Sequence, residues 1–424
     1  MLILLVILFV ALIAGIPVAF AIAFSSTVYL TMLSGVPLLA IAQRMVVGVD
    51  SFTLLAIPLF LLAGELMARG DITPRIVKFT ATIVGHIPGG MAMVMAISCM
   101  LFGAISGSGV ADVIAIGSIL LPAMNEQGYK RPFSATLLGC SGALATIIPP
   151  SIVMVTIGVT TGASIGKLFL SGIIPGVMAG VAFMVISYVF AIKENYPRME
   201  KSSWKERWNA FKMALLPLLT PAIILGGILL GIFTATEAGG IAALYALILA
   251  VFVYKKVSLS ELLEIGIDVV RTSAVILFII AAANLFGWVV AAEDIPQKVA
   301  SFMLSISENY WVLLILFNIL LLLLGMFMET IAIIIIVLPI FLPIFNTLGM
   351  DLIHLGIIVC INLAIGANTP PLGVDLIAAC RVAEERYENT FKYLPPFLGA
   401  MTLVLILIIA FPQLALWIPN MLIN

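Results

Sequence analysis

The stretches Ile147-Ile148-Pro149-Pro150-Ser151 and Asn368-Thr369-Pro370-Pro371-Leu372 decide the fold of this chain. Each places two consecutive prolines in an apolar surrounding, and the two pairs lie 221 residues apart. Proline lacks a backbone N–H, and its ring clashes with the preceding helical turn, so each pair predicts a broken helix. The chain therefore contains two copies of an interrupted apolar helix.

The 221-residue spacing extends on both sides of the proline pairs. It relates Leu121-Pro122 to Leu342-Pro343 and Pro175 to Pro396 without a gap. The matched residues are helix breakers rather than interchangeable apolar side chains. We therefore interpret the spacing as an internal repeat that retains its function.

The composition is that of a membrane protein. Hydrophobic residues make up 63% of the 424 residues and charged residues only 10%, against roughly 25% charged in soluble domains. The net charge of -1 leaves no basic surface for nucleic acid. Several stretches are almost free of charge, and the longer ones reach the ~20 residues of a spanning helix: Met1–Phe24, Met213–Gly231, Ile241–Tyr254 and Phe397–Phe411. The four scattered cysteines are predicted to be buried apolar thiols.

Basic residues predict the topology, because Lys and Arg next to spans mark the cytoplasmic side. Placing every basic group inside predicts a cytoplasmic N-terminus and a periplasmic C-terminus, with Met1–Phe24 as the first span. The groups are Arg69–Lys78, Lys130-Arg131, Lys193–Lys212, Lys255-Lys256 and Arg381–Lys392.

Two apolar stretches must then enter the membrane and return. Residues 91–126 are interrupted at Ser106–Gly109, and residues 311–348 near Gly325–Thr330. The charges place the first hairpin on the inside and the second on the outside, so the repeat is inverted. Non-helical backbone at this depth is tolerated only where it is buried in protein or lines a cavity. The two tips are therefore predicted to be functional.

The broken helices suggest ion sites. Pro149 and Pro150 should free the carbonyls of Ala145 and Thr146, and the second pair should free those of Gly366 and Ala367. Such oxygens are hard ligands that suit Na⁺. The half-helices that begin after each tip present N–H groups, which favours an anionic substrate.

Intramembrane acids are the other candidates, since an ionised group in a membrane is costly and usually functional. Asp112 and Glu329 lie at the tips, where an ion site, a proton site and tip stability remain open, and Asp375 also lies in an apolar segment. For Glu237, beside Thr234, a helix-capping role is favoured. The H-E-x-x-H, G-x-S-x-G and P-loop motifs are absent from the sequence, so no enzymatic activity is predicted.

Several motifs in one order resemble the large membrane subunit (M, or DctM type) of TRAP transporters, over essentially the whole chain. They are Phe102–Asp112, Ile147–Ser151, Thr236-Glu237-Ala238, Leu324–Glu329 and Thr369–Gly373. The resemblance implies an ion-transporter-superfamily fold with a scaffold and a mobile elevator transport domain. It also implies Na⁺-driven uptake of an organic anion, such as sialic acid or a C4-dicarboxylate, across the bacterial inner membrane. A periplasmic substrate-binding protein and a separate small four-helix Q subunit are the implied partners, beside membrane lipid.

The predicted fold is thus an all-α polytopic membrane protein with an inverted repeat, two re-entrant hairpins and two Pro-Pro-broken helices. Scaffold helices occupy residues 1–70 and a connector with further scaffold helices 193–261. The first repeat covers 71–192, with its hairpin at 91–126 and its broken helix at 132–160. The second covers 262–424, with the hairpin at 311–348 and the broken helix at 352–380.

Carried over by position, the resemblance implies two or more Na⁺ sites and no organic cofactor. The first Na⁺ site would use Ser106, Ser108, Ala145, Ile148 and Pro150. The second would use Gly325, Gly366, Thr369 and Leu372. The candidate substrate contacts are Ser106, Gly107, Asp112, Thr146, Met328, Glu329 and Asn368. The first tip departs from many relatives in its Gly109–Asp112 segment, so the tip does not identify the substrate.

Two other functions remain open at this point. A stand-alone Na⁺/carboxylate symporter of the same superfamily would need no binding protein. An ion channel would also have re-entrant hairpins and carbonyl-lined pores, but channels usually gain their axis from oligomeric symmetry rather than from an inverted repeat.

Overall fold

The computed structural model describes residues 2–32, 34–307 and 309–423, and these residues form α-helices and short helical turns without β-strands. The helices are numbered α1 to α21 in chain order. Among the described residues, seven helices are long and apolar enough to cross a membrane. The prediction of an all-α polytopic membrane protein is therefore confirmed.

Five helices precede the first hairpin: α1 (Leu2–Ile13), α2 (Val18–Met32), α3 (Leu38–Val49), α4 (Ala56–Arg69) and α5 (Ile72–Val84). The prediction that Met1–Phe24 is one span is wrong, because the chain turns between α1 and α2. Gly15 makes this turn with φ of 80°, a conformation that costs glycine little. Pro17 then directly precedes α2.

The first repeat continues with a packed pair of helices and a broken helix. Gly107 and Ser108 alone separate the members of the pair, and a 3₁₀ turn at Ala143–Thr146 followed by irregular residues 147–151 interrupts the broken helix. The helices are α6 (Gly90–Ser106), α7 (Gly109–Glu126), α8 (Arg131–Gly142), α9 (Ile152–Thr161) and α10 (Ile165–Glu194).

Two helices lie in the connector between the predicted repeats, α11 (Trp204–Leu229) and α12 (Ala235–Leu247), and two more precede the second hairpin, α13 (Leu259–Ala292) and α14 (Ile295–Ile306). A π-helical stretch, Ile248–Val253, continues α12. The remaining helices are α15 (Tyr310–Gly325), α16 (Thr330–Thr347), α17 (Leu352–Gly366), α18 (Val374–Ala383), α19 (Tyr387–Thr390), α20 (Leu394–Ala410) and α21 (Gln413–Leu422).

The internal repeat is visible in the helix boundaries. Helices α7 and α16 both begin and end 221 residues apart. The glycines that follow them, Gly128 and Gly349, both have a left-handed backbone, with φ of 82° and 69°. The peptide bonds Pro149-Pro150 and Pro370-Pro371 are both cis. The two copies thus share their local geometry as well as their residue pattern.

The two repeats interlock in the interior of the protein. Helix α18 of the second repeat packs against α7 and α8 of the first, and α9 of the first packs against α16 of the second. Each broken helix therefore contacts the hairpin of the other repeat. This exchange brings both Pro-Pro breaks and both hairpin connections into one central region.

Helix α2 runs in the same direction as α13. The rings of Phe20 and Phe278 are 4.9 Å apart, and further along both helices the Tyr29 hydroxyl donates a 2.6 Å hydrogen bond to Glu293. Helix α13 begins just after Lys255-Lys256. Because α1 precedes α2 as a separate helix, the predicted cytoplasmic N-terminus, which depended on a single first span, loses its basis.

Candidate substrate and ion sites

A central cavity of about 400 Å³ lies between the two hairpin connections. Four helices begin at its wall, each contributing its first two residues. These are Gly109 and Val110 of α7, Ile152 and Val153 of α9, Thr330 and Ile331 of α16, and Val374 and Asp375 of α18. The first amides of a helix have no partner within it, and the N-terminus carries partial positive charge. The cavity thus has the electrostatics of an anion site.

The rest of the wall is mostly apolar. Helix α13 contributes Thr272, Val275, Ile276 and Ile279, and α4 contributes Leu61. Within the described part of the chain, no Lys or Arg side chain lines this cavity. Helix N-termini, rather than basic side chains, would therefore have to neutralise an anion here.

The structure divides the predicted substrate contacts into two groups. Gly107, Thr146, Met328 and Glu329 line the central cavity. Ser106, Asp112 and Asn368 are buried and do not line it. Asp375 and Thr272 are among the cavity residues that the sequence did not nominate as substrate contacts. Asp375 had the signal of an intramembrane acid, whereas Thr272 is placed by long-range packing and had none.

The first predicted ion site gathers around the first hairpin connection. The Ser106 hydroxyl donates a hydrogen bond to Asp112, and the Ser108 amide donates to the Ser106 hydroxyl at 3.3 Å. A Cβ built on Gly103 would lie 2.9 Å from the Cα of Ala145. The end of α6 and the first Pro-Pro break are therefore in direct backbone contact.

The carbonyls before the first proline pair differ in their partners. The Ile148 amide donates to Leu144 at 2.8 Å, and residue 149 is a proline, so among the described residues Ala145 has no local amide for its carbonyl. The Thr146 carbonyl instead accepts hydrogen bonds from the Ser151 hydroxyl and the Cys360 thiol, both at 2.7 Å. Only Ala145 behaves as the sequence predicted.

The carbonyls before the second pair also acquire donors. The Gly366 carbonyl accepts from the Thr369 amide at 2.9 Å, and the Ala367 carbonyl accepts from the Asp375 amide at 3.0 Å. The prediction that the prolines leave these carbonyls without partners is wrong, because donors beyond the break replace the missing ones. Each oxygen keeps a second lone pair that can still face an ion.

The second predicted ion site mirrors the first. A Cβ built on Gly366 would lie 2.8 Å from the Cα of Gly325, so the ends of α15 and α17 touch through their backbones. The Leu372 amide donates to Met326 at 3.2 Å, and the Thr369 hydroxyl donates to Ile365 at 2.7 Å. All four residues nominated for this site lie at this one junction.

The intramembrane acids have distinct local roles. Glu329 accepts a 3.1 Å hydrogen bond from the Ala332 amide and caps α16. Asp375 is packed on Gly109, where a built Cβ would lie 2.8 Å from its Oδ2. Glu237 accepts hydrogen bonds from the backbone amide and the hydroxyl of Thr234, which completes a capping box. Glu237 therefore has a structural role at the start of α12.

The structure contains no metal-binding cluster of the soft or borderline type among its described residues. Groups of three or more His, Cys, Asp or Glu side chains suited to a metal are absent there. All four cysteines are buried free thiols. The candidate ion sites are made instead of hydroxyl and carbonyl oxygens, the ligands that hard cations prefer.

Comparisons with known proteins give consistent matches. Residues 5–414 match the family described as "Tripartite ATP-independent periplasmic transporter, DctM component". The sialic acid TRAP transporter large permease protein SiaM of Vibrio cholerae is 39% identical over 408 residues, covering 96% of both chains. The C4-dicarboxylate TRAP transporter large permease protein DctM of Rhodobacter capsulatus is 37% identical over 422 residues, again covering 96% of both.

The fold also resembles that of a solved transporter structure. The YdaH transporter of Alcanivorax borkumensis aligns over 88% of each chain with a TM-score of 0.50 and 13% sequence identity. At this identity the likeness concerns the fold alone.

Proposed function

Because the chain belongs to the DctM-component family of tripartite ATP-independent periplasmic (TRAP) transporters, we propose that it imports a small organic anion together with Na⁺. The observation that carries this proposal is the convergence of four helix N-termini on one central cavity. These ends attract negative charge without a basic side chain. Sialic acid and C4-dicarboxylates are the proposed substrate classes, since relatives at 39% and 37% identity carry those names.

Na⁺ binds at the two symmetric junctions beside this cavity. The first site uses oxygens of Ser106, Ser108, Ala145, Ile148 and Pro150, and the second uses Gly325, Gly366, Thr369 and Leu372. The Ala145 carbonyl, which accepts no backbone hydrogen bond from the described residues, and the backbone contact of Gly325 with Gly366 support this assignment. Cations here would offset the carboxyl groups of Asp112, Glu329 and Asp375, which otherwise oppose the binding of an anion.

Transport proceeds by an elevator movement. The interlocked hairpins and broken helices form a single packed unit, and α13 supplies the opposite wall of the cavity. Displacement of this unit along α13 would carry the cavity between the two sides of the membrane. Packed helical units of this kind shift as bodies rather than deform continuously.

The chain acts in the bacterial inner membrane with two partners. A separate small membrane subunit braces the scaffold, and a periplasmic binding protein delivers the substrate. The basic groups at Lys130-Arg131, Lys193–Lys212 and Lys255-Lys256 face the cytoplasm, and the C-terminus faces the periplasm. Because α2 runs parallel to α13, α2 begins on the cytoplasmic side. Helix α1 precedes it across a turn and packs against it, so the N-terminus is assigned to the periplasmic side.

Reconstitution tests the proposal. Purified large and small subunits in proteoliposomes should take up labelled N-acetylneuraminate or succinate only with an inward Na⁺ gradient and the cognate binding protein outside. Equal uptake without the binding protein would instead identify a stand-alone symporter of the same superfamily. Flux that rises linearly with substrate and ignores the Na⁺ gradient would identify a channel, and uptake of neither anion would remove the proposed substrate classes.

A further inference from the structure

A second cavity, of about 340 Å³, lies beyond the central one along the same three helices. On α13 the central cavity contacts Thr272 to Ile279, whereas the second contacts Ile280 to Trp288. On α9 and α16 the lining residues likewise advance by about one helical turn, to Thr156 and Ile335. The two cavities are thus successive stations on one set of helices. The second lies nearer to the end of α13 that is remote from Lys255-Lys256.

Arg44 of α3 lines this second cavity. Its guanidinium carbon is 4.9 Å from the centroid of the Trp288 ring, and no acidic side chain forms an ion pair with it in the described ranges of the chain. Stacking on an aromatic face leaves the N–H edge of a guanidinium available for a carboxylate. Arg44 therefore offers a basic side chain that the central cavity lacks.

The remaining polar groups complement this charge. The Asn284 amide lines the same cavity and is exposed to it. The Thr156 hydroxyl donates to the Ile152 carbonyl at 2.9 Å, and the Thr160 hydroxyl donates to the Thr156 carbonyl at 2.8 Å. With both hydroxyls donating to the backbone of α9, the two threonine oxygens present acceptor lone pairs to the cavity. The cavity thus suits a ligand that has one carboxylate and several hydroxyl or amide donors.

We propose that this cavity is a separate outer binding station for the transported anion, in which Arg44 holds the carboxylate against Trp288. Asn284 and the two threonines then contact the hydroxylated part of the ligand. This inference rests on the proposed function and extends it, because it favours a hydroxylated monocarboxylate such as a sialic acid over a C4-dicarboxylate. A second carboxylate would find a threonine donor only by breaking one of these hydrogen bonds to the helix backbone.

Uptake kinetics of the complete transporter provide the first test. Arg44→Gln should raise the N-acetylneuraminate concentration for half-maximal uptake by about tenfold or more, because it removes a charge-assisted bidentate contact. The half-maximal concentration for Arg44→Lys should lie between those of the wild type and Arg44→Gln. Lys retains the positive charge but lacks the paired N–H donors with which a guanidinium binds both carboxylate oxygens. The Na⁺ concentration for half-maximal uptake should not change. Lys298→Gln is the matched control, since Lys298 also lies on the outer side but its ammonium donates to the Glu293 carbonyl at 2.7 Å and does not line this cavity in the described part of the chain.

A labelling experiment supplies a readout that does not need transport. All native cysteines are buried. Gly287 lines the same cavity, and apart from the adjacent backbone of α13 no atom of the described residues lies within 4 Å of its built Cβ, so Gly287→Cys introduces one accessible thiol while Arg44 stays in place. N-acetylneuraminate should slow its modification by a charged methanethiosulfonate reagent, whereas succinate at the same concentration should protect it less.

The outcomes separate the two proposals. If the wild type shows Na⁺-dependent uptake but Arg44→Gln has normal kinetics, the outer station is overturned and the proposed function stands. The same conclusion follows if the anion gives the thiol no protection. Protection of the thiol without Na⁺-dependent uptake by the wild type would support the station and remove the proposed function. Thermal unfolding of each variant, compared with Lys298→Gln, identifies any variant that fails to fold, and Arg44→Lys then carries the test.

Discussion

The backbone contact between Gly325 and Gly366 allows a sharp test of the second ion site. A Cβ on Gly366 would lie 2.8 Å from the Cα of Gly325 and 3.1 Å from its carbonyl carbon. Non-bonded carbon atoms normally rest at about 3.5–4.0 Å. Gly366→Ala must therefore separate the ends of α15 and α17 by about 0.7–1.2 Å.

This separation has two measurable consequences. Overpacking of a tight interior contact costs about 1–3 kcal/mol of unfolding free energy. The carbonyls of Gly325 and Gly366 would also move apart by a large fraction of an ångström, which weakens their shared contact with a cation. Loss of one charge-assisted contact of about 1.5–3 kcal/mol raises the Na⁺ concentration for half-maximal uptake by about tenfold or more.

Two assays measure these effects: thermal unfolding of the purified transporter, and uptake in proteoliposomes over a series of Na⁺ concentrations. Gly399→Ala is the matched control, because Gly399 lies in α20 and nothing approaches within 4 Å of its built Cβ. That variant should keep its Na⁺ dependence and gain up to about 1 kcal/mol of helix stability. If Gly366→Ala gave the same Na⁺ half-activation as Gly399→Ala, the second ion site would be refuted.

The remaining predictions concern side chains rather than backbone contacts. Thr369→Ala and Ser106→Ala should each raise the Na⁺ concentration for half-maximal uptake several-fold, since a hydroxyl contact contributes about 1 kcal/mol, and Thr369→Ser should restore most of the loss. Unchanged Na⁺ activation in both alanine variants would contradict both sites. Glu237→Ala should lose the capping box with Thr234 and about 0.5–2 kcal/mol of stability, as measured by thermal unfolding. Its Na⁺ activation should remain normal, and a changed Na⁺ dependence would show that the capping role is incomplete.

The internal repeat can be predicted from the sequence because the residues that match between its two copies are helix breakers. Proline and glycine act on their own backbone, so Pro149-Pro150 and Gly128 impose their geometry wherever they occur. The equal spacing of α7 and α16 follows from the same residues. Composition likewise suffices for the membrane assignment, because membrane insertion depends on the transfer free energies of the residues themselves rather than on their tertiary contacts.

Features that depend on contacts between residues remote in sequence cannot be predicted from local sequence patterns. The Thr146 carbonyl accepts a hydrogen bond from the Cys360 thiol, which is 214 residues away in sequence. No local sequence pattern predicts such a donor. The wall that α13 contributes to both cavities also arises from packing between regions remote in sequence. The division of Met1–Phe24 into two helices is not apparent from the sequence for a different reason, because charge-free residues lie on both sides of the turn at Gly15.

The ratio of Na⁺ to anion transported is the most direct test of coupled transport through two ion sites. Proteoliposomes that contain the complete transporter, supplied with the binding protein, can be loaded from a medium of ²²Na⁺ and labelled N-acetylneuraminate or succinate, and both initial rates can be counted. With two symmetric Na⁺ sites beside one anion cavity, at least two Na⁺ ions should accompany each anion, and Gly366→Ala should impair both fluxes together. Anion uptake without accompanying Na⁺ flux would contradict coupled transport.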